Sequence, residues 1–60
     1  MKLTLAWTRR SIEIPKDLVI DVSAIVVARE LVTQISTQDT LYLVAESIEK
    51  VKRLLAREGN

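Results

Sequence analysis

Residues that let a chain turn sharply are almost absent from this sequence: among 60 residues the only Gly is Gly59, the only Asn is Asn60 and the only Pro is Pro15. Tight hairpin turns need positive φ, which Gly and Asn adopt with least strain. A chain so short of them is expected to fold into few, long elements. Three soft breaks remain, at Thr8-Arg9-Arg10-Ser11, Ile14-Pro15-Lys16-Asp17 and Ser36-Thr37-Gln38-Asp39. No repeat or low-complexity stretch interrupts them.

Size sets the next constraint. Residues 1–60 have room for a single small domain. Leu, Ile and Val fill 21 positions, against one Trp, one Tyr and no Phe. That is too apolar for a disordered chain, yet no run approaches the ~20 apolar residues of a membrane span. A domain this small buries only ~60% of the surface exposed by its unfolded chain. The aliphatic excess therefore predicts apolar surface left over in a monomer, and hence a homo-oligomer that extends its core across a symmetry axis.

The absence of Cys and His removes disulfides, zinc fingers, thiol nucleophiles and His-based catalysis. With Gly59 standing alone, there is no Gly-rich phosphate loop. Asp21 closes the apolar run Leu18-Val19-Ile20, a stretch similar to the one that carries a metal ligand in PIN-like nucleases. Pairing it with Glu46 or Glu49 would need several acids gathered by a much larger sheet. A solvated carboxylate is the expectation, with no catalytic residue, metal or cofactor, and no enzyme. Met1–Trp7 is apolar over too few residues to read as a targeting segment. A cytoplasmic protein with no membrane association is expected.

Patterning suggests the elements. Leu3, Leu5 and Trp7 alternate with more polar neighbours, and Ile12 and Ile14 do so again beyond residues 8–11. This is the period of half-buried strands, with a bulge or loose turn between them. Pro15 reads as a helix start, with Asp17 in the first turn. Leu18, Val22, Ile25, Ala28, Val32 and Ile35 then share a three-four spacing that predicts helix over most of 17–35. A buried strand fits residues 18–28 equally well locally, since the even positions are all apolar and six aliphatics are β-branched. A strand through Val22 with Ser23 capping a helix lies between the two. The helical reading rests on the missing turn residues.

Ser36 is the expected cap of the last element, with Asp39 completing a capping-box variant. Leu41, Val44, Ile48, Val51 and Leu55 keep helical spacing, and Glu46–Lys50 and Glu49–Arg53 stand at i,i+4. This predicts helix over about 46–57, with Gly59 as terminator. Residues 40–45 fit a first helical turn or a short strand.

Residues Ser11–Leu18, a short alternating strand running into proline, resemble the entry of ribbon-helix-helix proteins, small dimeric regulators that include many antitoxins. The likeness extends over residues 9–57. It implies an α+β fold, an N-terminal β ribbon followed by two α-helices, in an intertwined homodimer that binds DNA. The ribbon would lie in the major groove, with Arg9, Arg10, Ser11 and Lys16 as contacts, and Ser36 and Thr37 would meet phosphate at a helix start. Glu13 departs from this pattern by placing an acid on the reading face. A net charge of only +1 also favours the other reading, a self-assembly or protein-interaction module with no nucleic acid.

Overall fold

A computed structural model describes residues 1–57. The chain runs β1 (Lys2–Thr4), β2 (Ser11–Glu13), a single 3₁₀ turn (Lys16–Leu18), β3 (Val19–Val27), β4 (Glu30–Thr37), β5 (Leu41–Val44) and α1 (Ile48–Ala56). The α+β class stands, but the described residues form five strands and one α-helix in place of a ribbon and two helices.

The correction lies in residues 17–37. Six of the nine residues of β3 are β-branched, which crowds a helix and suits a pleated surface. β3 pairs antiparallel with β4 from Val22↔Ile35 to Val27↔Glu30, with a bulge between Val19 and Asp21. The turn that the composition denied is made without glycine. Ala28 (φ 51°) and Arg29 (φ 66°) form a two-residue hairpin loop with both centres at positive φ, the signature of a type I′ turn. Pro15 does precede a helical turn, but one of only three residues.

Ser36 caps nothing, because it lies inside β4 opposite Leu41 of β5. Residues 41–44 are the short strand, and the helix starts later, where the Ser47 hydroxyl accepts from Lys50 N–H at 3.1 Å. The helix within 46–57 is as expected. Its terminator Gly59 lies outside the described residues.

β1 and β2 form a separate ribbon in register Leu3↔Ile12. It is spliced onto the free edge of β5 by a Leu5–Val44 bridge. Ala6 N–H donates to Leu43 O and Ala45 N–H to Thr4 O, both at 2.8 Å. The spatial order is thus β2-β1-β5-β4-β3, with β2 and β3 outermost. One face closes over a core of Leu3, Ile14, Ile35, Val44 and Val51. Val51, expected on the inner face of the helix, is fully buried.

Polar groups are satisfied around this core. Buried Thr33 donates from Oγ1 to Glu46 O at 2.7 Å. β5 has ended by Ala45, and the Glu46 carboxylate takes Thr4 N–H instead, at 3.0 and 3.1 Å. Burial pushes the Glu46 carboxyl up, but the hydrogen bonds from Thr4 and from its own backbone, with Lys50 nearby, outweigh it and hold it below the usual value. Glu46 therefore works as a splice between strands.

Candidate functional site

The described residues leave two surfaces unfinished. The first is the outer edge of β3. β3 runs nine residues with Asp21 as its only charge and no Pro, and no strand pairs with its far side among the described residues. Isolated proteins blunt such edges with charges, bulges or short length, because the open N–H and C=O groups invite another strand. Here only Asp21 and the neighbouring bulge serve that purpose. Ile20 is 67% exposed and Val26 is 68% exposed, and Leu31, opposite Val26 on β4, is 71% exposed. Beside them opens a recess of about 290 Å³ between the hairpin and the start of α1, lined by Ala24, Leu31 and Ile48 among others.

The second surface is the pair of loops at the other end of β4 from Thr37. Leu5 N–H donates to Arg10 O at 2.8 Å and Arg9 N–H to Leu5 O at 3.1 Å, which closes the β1–β2 loop. Trp7 and Arg9 sit there at φ 64° and 63°. The Trp7 indole N–H reaches Glu30 Oε2 at 3.2 Å and ties this loop to the Ala28–Arg29 turn. Arg9, Arg10 and Arg29 are all exposed. None of the three guanidinium groups makes an ion pair or a side-chain hydrogen bond among the described residues.

The residues expected to contact nucleic acid are dispersed. Arg9 and Arg10 lie in the β1–β2 loop and Ser11 begins β2, so these three stay together. Lys16 is engaged elsewhere, since its Nζ donates to Arg57 O at 2.6 Å and closes the end of α1. Ser36 is inside β4. Thr37 holds the β4–β5 turn, its hydroxyl donating to Thr40 O and accepting from Thr40 N–H. These two mark no helix start, so the phosphate contact expected of them has no basis in the fold. Asp21 is exposed and opposes Ser36. No group of three His, Cys, Asp or Glu side chains suited to a metal occurs among the described residues.

Sequence reasoning missed Trp7 and Arg29 as members of a surface. Arg29-Glu30 is the only charged pair within the apolar stretch 22–32. That break was the available sign of a turn, and with it of a second basic loop. No helix of the described residues is long and apolar enough to cross a membrane. Comparison of the chain with family models, with curated proteins and with solved structures finds no match.

Proposed function

We propose that the chain is a self-assembly module, in which a second copy adds to the free edge of β3. The observation that carries this is the nine-residue outer strand, with one charge and two large aliphatic residues standing two-thirds in water. Strand addition at a sheet edge draws affinity from main-chain hydrogen bonds and specificity from alternate side chains. An antiparallel copy related by a two-fold axis near Ser23, the midpoint of β3, sets Val22 against Ala24 and Ile20 against Val26 of the second copy. The strand is apolar at both ends and so complements itself in that orientation, as an isologous interface requires.

Burying a Val or Ile side chain fully is worth ~1.5–3 kcal/mol. Recovering two-thirds of that for Ile20 and Val26 in each copy gives roughly 4–8 kcal/mol. A micromolar dimer needs a net ~8 kcal/mol after the losses of association, so hydrogen bonds along the edge supply the remainder. Sedimentation at micromolar concentration tests the reading. Wild type should be a dimer, and Ile20→Lys with Val26→Lys should be a monomer with an unchanged circular dichroism spectrum. Those positions are exposed, so folding does not depend on them. A wild-type monomer at this concentration, or a lysine variant that still dimerises, would refute it.

A further inference from the structure

All four non-glycine residues with positive φ among the described residues, Trp7, Arg9, Ala28 and Arg29, belong to the two loops joined by the Trp7–Glu30 hydrogen bond. The left-handed conformation costs roughly 1–2 kcal/mol for a residue with a Cβ. Gly or Asn would relieve it, so stability alone gives no reason for Trp and Arg at these positions. Strain of this kind concentrates where the side chain presented matters more than the turn.

What the strain presents is specific. Trp7 is anchored at its indole N–H, yet 48% of the residue stays exposed, which makes a held aromatic surface. Arg9 and Arg10 follow it in the same loop, and Arg29 immediately precedes Glu30, the anchor. The two loops thus carry three arginines against Glu30 alone, within a chain of net charge +1. Arginines with no ion-pair or side-chain hydrogen-bond partner among the described residues, in loops that also hold an exposed indole, match the two needs of an unpaired polynucleotide, phosphate neutralisation and a face for base stacking. A duplex hides its base faces and would make no use of Trp7.

We propose that this loop end binds single-stranded nucleic acid, with Arg9, Arg10 and Arg29 on phosphates and the Trp7 indole stacked on a base. The site lies at the turn that ends β3 and takes no residue from a second copy. Trp7 is the only tryptophan, so its emission reports occupancy directly. Titration of wild type with short oligothymidylate at low salt should quench that emission. The slope of log K against log salt should be roughly −2, at ~0.7 per phosphate for three contacts.

The variant Arg9→Ala, Arg10→Ala, Arg29→Ala should bind at least about tenfold more weakly with a slope near zero. Lys52→Ala, on the exposed side of α1, should behave as wild type. Trp7→Leu should lose roughly five- to 150-fold, measured by anisotropy of a labelled oligonucleotide. The proposal is overturned by an absence of binding at low salt, by equal losses from the triple variant and Lys52→Ala, or by duplex binding as tight as single strand. Inorganic polyphosphate binding as tightly as the oligonucleotide, with Trp7→Leu unaffected, would also overturn it. Ile20→Ser with Val26→Ser, which opens the β3 edge without adding charge near Arg29, should be monomeric and bind with wild-type affinity per site, which separates this test from that of the dimer.

Discussion

Replacing Ala28-Arg29 by Asn-Gly tests the account of the hairpin on which β3 and β4 depend. Both residues sit at left-handed φ, 51° and 66°. At roughly 1–2 kcal/mol each, the native turn carries about 2–4 kcal/mol of strain. Asn occupies this region with less penalty, and Gly with none, although Gly adds ~0.5–1 kcal/mol of chain entropy to be lost on folding. The net expectation is a stabilisation of about 1–2 kcal/mol. In a domain of this size each kcal/mol moves Tm by ~4–8 °C, so the double variant should melt about 5–15 °C higher. Scans must be run at matched protein concentration, because self-association raises Tm with concentration. Urea titration should show a higher midpoint with an unchanged slope. A Tm equal to or below wild type would refute the strain assigned to the positive-φ hairpin. Removal of Arg29 should at the same time weaken oligothymidylate binding, so the stabler protein should be the poorer binder.

The core and the splice give two more expectations. Val51 has no exposed surface and packs among Leu3, Ile14, Ile35 and Val44, so Val51→Asp leaves an unpaired buried charge. A loss of several kcal/mol exceeds the ~3–5 kcal/mol that a core this small supplies, and circular dichroism at 25 °C should show an unfolded chain. The Glu46 carboxyl is held below its ordinary value of 4.5 in the folded protein. Its contribution is therefore present above that value and is lost as pH falls through the lower, folded one. Wild type should melt higher than Glu46→Gln at neutral pH, and the two should converge in acid; a gap that stays constant with pH would show that the charge plays no part.

Some of this protein was legible in single residues. Alternation at Leu3, Ile12 and Ile14 marked the N-terminal ribbon because a strand's two faces differ with period two. The three-four spacing of Ile48, Val51 and Leu55 marked α1, because nothing but a helix brings those positions to one side. Arg9 and Arg10 stood out as an exposed basic pair beside a strand. Residues 18–35 were different in kind. Leu18, Val22, Ile25 and Val32 satisfy helical spacing, and the even positions satisfy a strand, so local periodicity cannot choose between them.

The choice is made by partners distant in sequence. Ile35 is fully buried only because Val22 flanks it on β3 and Tyr42 on β5, with the core packed over it. The ladder these strands build absorbs the strain of turning at Ala28 and Arg29. Composition alone thus set an excess of aliphatic side chains over what these residues enclose, and Ile20, Val26, Leu31 and Leu41 stay exposed. Tertiary pairing decided which aliphatics stay outside on β3, and it brought Trp7 to Glu30, 23 positions along the chain, next to Arg29. Turn residues report how easily a chain can turn, whereas the energy of the completed sheet decides whether it does.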